Sequence, residues 1–232
     1  MHIPDPAVGR PSVADVRSIR RRQTVHGPAV ADVQDCAGRL QTALAALAGV
    51  FLALPAWADS DLQTFWDAMA IHCGNAYEGV RVVARDDRPD LLEGNETLIV
   101  HFRECSDELL ALPFHIGPPD GDWDRSRTWR FTWAEDGERL ELRHDHRLPD
   151  GSPDVENTMY GGLSIGGDGR VQRFLYTERV ADDGSPLGWQ IEIVPGERYT
   201  YGTFSGDDWT WRLDFDLTQP MSEPPSAPWG VE

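Results

Sequence analysis

Alternation of apolar and polar residues with period two, repeated down most of the chain, constrains this sequence more than any other feature. Trp209, Trp211, Leu213, Phe215 and Leu217 alternate with Thr210, Arg212, Asp214 and Asp216. Trp129, Phe131 and Trp133 alternate with Arg130 and Thr132 in the same way. A strand points successive side chains to opposite faces, so each run reads as a strand with one face on a core. Further strands are expected over 77–83, 98–105, 109–116, 139–147, 158–164, 171–180, 189–194 and 198–204. Between them stand turn-forming pairs such as Asp136-Gly137, Asp150-Gly151, Asp183-Gly184, Pro195-Gly196 and Ser205-Gly206. About nine strands on short connections, with no alternation of strand and helix, predict an all-β domain. It is expected as an antiparallel up-and-down barrel of calycin or lipocalin-like shape, with a sandwich as the alternative. One short helix is expected over 62–71, capped from Asp59-Ser60-Asp61 and carrying Leu62, Phe65, Trp66 and Met69 at helical spacing.

The first 58 residues do not share this pattern. Ala43 to Leu54 is a run of apolar residues preceded by Arg39 and followed by Pro55-Ala56-Trp57-Ala58. A basic flank, a short apolar stretch and an A-x-A ending predict a signal peptide cut between Ala58 and Asp59. Twelve residues reach only ~18 Å as a helix, too short for the ~30 Å core of a bilayer, so no stable membrane insertion is expected after cleavage. The expected organisation is a disordered leader plus signal peptide over 1–58, the β domain over 59–219 and a Pro-rich, loosely packed tail over 220–232. Export to the periplasm or beyond follows.

Of the three Cys, Cys36 lies in the leader and Cys73 with Cys105 remain. In an oxidising compartment that pair is expected as a disulfide. The formal charge is −18, with 39 acidic and 21 basic residues. Six Arg and four Asp fall in the first 58 residues, leaving 15 basic against 35 acidic residues beyond them. A surface that negative repels phosphate backbones and argues against nucleic acid as a partner.

Chemistry-bearing residues concentrate in 139–147. Read as a strand, Leu140, Leu142, His144 and His146 share one face, while Glu141, Arg143, Asp145 and Arg147 take the other. Two imidazoles two residues apart on an apolar face suit a divalent metal, although the spacing fixes no third ligand. Asp150, Ser152, Asp154 and Glu156 resemble a calcium loop in spacing but lack its Gly and closing Glu, and a hairpin turn explains them more simply. A phosphate-binding glycine loop is missing from the sequence.

Several strings together resemble a family of exported bacterial β-barrel-like proteins with no assigned activity. They are Cys73-Gly-Asn-Ala-Tyr-Glu-Gly79, Arg103-Glu-Cys105, Pro113-Phe-His-Ile-Gly117, Ser126-Arg-Thr-Trp129, His144-Asp-His-Arg147 with Asp150-Gly151, and Thr158-Met-Tyr-Gly-Gly162. The resemblance implies compartment and fold rather than an activity. It also implies that the Cys73–Cys105 pair and the His-Asp-His-Arg block belong to one design.

Three functions are therefore expected in order. The first is a barrel binding a small apolar or amphipathic ligand, with His101, Arg103, His115, His144, His146 and Tyr160 as its polar groups. The second is a metal-dependent enzyme using His144 and His146, with Asp145 or Glu141 in support. The third is an envelope interaction or inhibitor module with a protein partner.

Overall fold

In the computed structural model, the alternating segments pair edge to edge until the sheet meets itself. The structure describes residues 60–85 and 91–231. The leader and signal peptide expected over 1–58, with Cys36, Ala58 and Asp59, lie outside the described residues. One helix, α1 (Asp61–Ala70), precedes eleven strands: β1 (Ala76–Val83), β2 (Thr97–His101), β3 (Glu104–Cys105), β4 (Leu109–Gly117), β5 (Asp124–Trp133), β6 (Leu140–His146), β7 (Tyr160–Gly167), β8 (Val171–Leu175), β9 (Leu187–Val194), β10 (Arg198–Ser205) and β11 (Asp208–Asp216).

Every pairing is antiparallel. From β4 to β11 each strand pairs with the next, then β11 pairs with β1, β1 with β2, and β2 with β4. Ten strands thus close a barrel, and the pairing decides for a barrel over a sandwich. β3 continues the line of β2 along β4. Thr97 lies opposite Gly117 but Glu104 lies opposite Ala111, a one-residue slip absorbed at Phe102 and Arg103.

Inward positions carry the expected apolar residues. Leu98 and Val100 of β2, Leu112 and Phe114 of β4, Leu140 and Leu142 of β6, and Leu213 and Phe215 of β11 all belong to one buried cluster. The outer face carries ion pairs within single strands: Arg143 with Glu141 (2.5 Å), Arg147 with Asp145 (2.8 Å) and Arg212 with Asp214 (2.8 Å). Apolar inside and charged outside is the reverse of a barrel that faces lipid. Among the described residues no helix is long and apolar enough to cross a membrane.

One alternation departs from the expected pattern. Thr203 lies opposite Trp211, yet Phe204 lies opposite Trp209, so a bulge occupies β11 at Thr210. The extra residue reverses the phase. Trp211 points inward, whereas Trp209 lies outside beneath the Arg212 guanidinium, 5.4 Å from its ring centre.

Helix α1 starts where Ser60 accepts the Gln63 amide (3.1 Å) and buries Phe65, Trp66 and Met69. Trp66 meets Trp133 at the end of β5, with ring centres 5.5 Å apart. Beyond the helix, His72 accepts from the Gly196 amide in the β9–β10 turn (3.3 Å) and contacts the Tyr77 hydroxyl (2.9 Å). The helix therefore plugs the barrel at this end. The Cys73–Cys105 disulfide ties the plug to β3, with Cα atoms 6.1 Å apart.

The Pro-rich tail is bound rather than loose. Met221 donates its amide to the Ala76 carbonyl (2.9 Å), Trp229 donates to the Arg125 carbonyl (3.1 Å), and the Arg125 guanidinium reaches the Ala227 carbonyl (2.7 Å). Proline lacks an amide donor, so the signal for such a strap lies in its neighbours and not in its own composition.

Cleaving the disulfide is expected to matter most for the plug. The two Cys are 32 residues apart, and a loop of that length corresponds to roughly 3–4 kcal/mol in the chain-entropy description. Urea unfolding of Cys73→Ala/Cys105→Ala should show a loss of that size. A change below about 1 kcal/mol would mean the helix is held by packing alone.

Candidate functional site

At the end opposite the plug the barrel is open, and a cavity of about 840 Å³ descends into it. Its floor is aromatic. Trp129 of β5 stacks on Tyr201 of β10, with ring centres 3.8 Å apart and planes inclined by 17°. His144 of β6 stacks on Tyr160 of β7 at 4.5 Å and lies 4.8 Å from Trp189 of β9. The register brings these together, because His144 lies directly opposite both Trp129 and Tyr160. Charged side chains also line the cavity, among them Arg127, Asp154, Glu156, Glu178 and Arg179.

His144 is 2 % exposed and has both ring nitrogens engaged. Nδ1 lies 3.1 Å from the Tyr160 carbonyl oxygen, which can only accept, so Nδ1 carries the proton. Nε2 lies 2.6 Å from the Tyr201 hydroxyl and accepts from it in the neutral ring. Burial pushes the His144 pKa down to about 3, with the bond to the Tyr160 carbonyl opposing it. The imidazole is therefore neutral across the physiological range. Burial likewise holds the Tyr201 phenol well above its ordinary value.

His146 sits one step nearer the mouth and is half-buried. Its Nε2 meets the Tyr160 hydroxyl at 3.2 Å. Burial lowers its pKa, and the Arg127 guanidinium adds to the effect. Arg127 is itself paired with Asp124 and bonded to Ser126 Oγ (3.0 Å). The Tyr160 ring thus serves both histidines, stacked on one and edge-on to the other.

Of the six polar groups expected at the cavity, the structure brings His144, His146 and Tyr160 together there. It places the other three elsewhere. His101 and His115 lie on the outer face of β2 and β4, because Val100 and Phe114 take the inward positions beside them. Arg103 sits at the slip between β2 and β3 and does not line the cavity. Continuous burial along β4 made its two faces indistinguishable by hydropathy, which is why His115 read as a cavity residue. Tyr201, Trp129 and Trp189 carry the floor, although none of them was expected among its site residues. Alternation in 198–204 puts Tyr199 and Tyr201 on one face, but nothing in the sequence pairs Tyr201 with a histidine 57 positions earlier.

His144 and His146 share a face as expected, yet a metal at His144 would first have to displace the Tyr201 hydroxyl or the Tyr160 carbonyl. Among the described residues no three His, Cys, Asp or Glu side chains converge as a metal site. The residues that resemble a calcium loop in spacing form turns, the simpler of the two readings. Asp150 accepts from the Ser152 amide and hydroxyl (2.9 and 2.6 Å), and Asp154 accepts from the Asn157 side chain (3.0 Å).

No family model, curated protein or solved structure matches the chain. The family resemblance read from the motifs therefore rests on those motifs alone.

Two neighbouring tyrosines give opposite expectations. Tyr201→Phe leaves His144 Nε2 buried without a donor and should cost about 1–3 kcal/mol in urea unfolding. Tyr199→Phe removes a buried hydroxyl that has no partner and should be neutral or stabilising. Equal costs for the two would mean that the His144–Tyr201 bond contributes nothing.

Proposed function

We propose that this is an exported protein whose barrel binds a small amphipathic ligand through its open end. The observation that carries the reading is a cavity of about 840 Å³, open at one end and backed at the other by α1. That volume falls within the ~300–1,000 Å³ typical of small-molecule sites. The lining favours an amphipathic ligand over a purely apolar one. Trp189 and Tyr160 offer aromatic surface in the lining, while His146, Arg127 and Asp154 supply polar groups above them. The disulfide and the charged outer wall are compatible with export.

The metal-dependent enzyme reading finds less support, because both nitrogens of His144 are already bonded. The protein-partner reading would be favoured by a broad apolar patch. The exposed apolar residues are spread over several elements in small groups, the largest being Val80 with Val82 on β1 and Leu148, Val155 and Met159 on the β6–β7 connection.

The test is intact mass under native and then denaturing conditions, on protein recovered from an oxidising compartment. A native excess of a few hundred daltons is expected, together with a disulfide-bonded denatured mass. An excess equal to one metal ion would support the enzyme reading, and equal masses would shift weight to a protein partner. Adding the extracted ligand back to stripped protein should give an affinity that falls about tenfold or more in His146→Ala.

A further inference from the structure

The outer face of β2 and β4 is buried although it points away from the core. Ile99, His101 and His115 are 2 %, 5 % and 0 % exposed. The end of the chain runs across this face. It is fixed at Met221 to Ala76 on β1, and at Ala227 and Trp229 to Arg125 on β5. Around the barrel, β2 and β4 lie between β1 and β5, so the strap between those two anchorages crosses them. Its tip then reaches the mouth. Gly230 packs so closely on Gly151 that a Cβ built at Gly151 would stand 2.8 Å from the Gly230 Cα. Gly151 belongs to the β6–β7 connection, which also carries Asp154, Asn157 and Met159 in the cavity lining.

Beneath the strap, three ring nitrogens have no hydrogen-bond partner: Nδ1 and Nε2 of His115, and Nδ1 of His101. Buried polar groups are almost always paired, so an orphaned cluster needs a reason. Its charged surroundings are mainly cationic. Arg103 and Arg125 both act on His115, with Asp124 opposing them, and Asp124 already holds Arg127. The described strap contributes one carboxylate, Glu223, which is exposed to solvent. A proton arriving on either imidazole therefore meets guanidinium groups rather than a committed acceptor.

We propose that residues 221–230 form an acid-released latch, in which protonation of His115 and His101 lifts the strap from the outer wall and frees the β6–β7 connection to widen the cavity mouth. Strap release stands by itself; the faster exchange of ligand through a wider mouth rests on the function proposed above. Burial first, then His101 and the two Arg, hold His115 down to about 4, and burial with Arg103 lowers His101. A histidine depressed in the latched state stabilises that state fully above its ordinary value near 6.5 and loses the contribution as pH falls toward 4. For His115 alone, release should rise roughly thirtyfold between pH 7.5 and 5. His144, at about 3, titrates below this window.

Hydrogen exchange on the whole protein, corrected for intrinsic rates, tests the release. Protection of the Met221 and Trp229 amides should drop roughly thirtyfold between pH 7.5 and 5, with β9 and β10 amides unchanged. His115→Leu, or His115→Gln where the first does not fold, should flatten most of that dependence. Equal protection at both pH values, or the same drop in the variants, overturns the latch. The second arm follows dissociation of 1-anilinonaphthalene-8-sulfonate from the cavity, expected to accelerate with acid in the native protein and not in His115→Gln. Release without acceleration overturns the coupling to the mouth. Failure of the probe to bind at any pH, with release intact, counts against the ligand reading and leaves the strap result standing.

Discussion

The pairing of β11 with β1, and of β2 with β4, is the constraint on which the rest of the molecule depends. It turns an open meander into a closed barrel with no free edge in its wall. Closure at ten strands also fixes the width. About eight strands enclose a space that side chains can just fill, so ten leave volume to be dealt with. This chain treats its two ends differently. One is filled by α1, whose Phe65, Trp66 and Met69 enter the barrel and whose exit is tied to β3 by Cys73–Cys105. The other stays open, and the cavity is the remainder.

Leaving one end open sets the chemistry of the floor. Polar atoms below the mouth must be paired or they oppose folding. The His144–Tyr201 and His144–Tyr160 bonds meet that demand at 2.6 and 3.1 Å. They hold the imidazole in one neutral tautomer and fix the stack of rings around it. The floor is thus pre-formed, and its polar atoms are spent on one another. Variable polar groups begin one layer higher, at His146 and the Arg127–Asp124 pair. The cavity thus has an aromatic floor below and charged groups around its rim.

The fold was legible because period two is a strong signal when repeated with turn chemistry between the runs. The cleanest case was 140–146, where Leu140, Leu142 and His144 are buried and His146 half-buried. The helix was legible from its cap, since Ser60 accepts the Gln63 amide. What escaped were features that depend on register or on contacts distant in sequence. A bulge at Thr210 reversed the phase of β11 and sent Trp209 outside. Burial of both faces of β4 hid which way His115 points. The partner of His144 lies four strands further along the chain, and the tail crosses an outer wall that hydropathy reads as core. In the site the histidine block was visible, but the rings that make it a floor were not.

The most direct measurement is long-range proton–nitrogen NMR of the imidazoles in stripped protein, before and after adding back whatever the native protein carries. Expected is a saturable shift of the His146 signals, with His144 held throughout in the tautomer protonated at Nδ1. A His146 that does not respond, or a His144 that titrates near 6.5, would contradict a pre-formed, neutral floor beneath a ligand site.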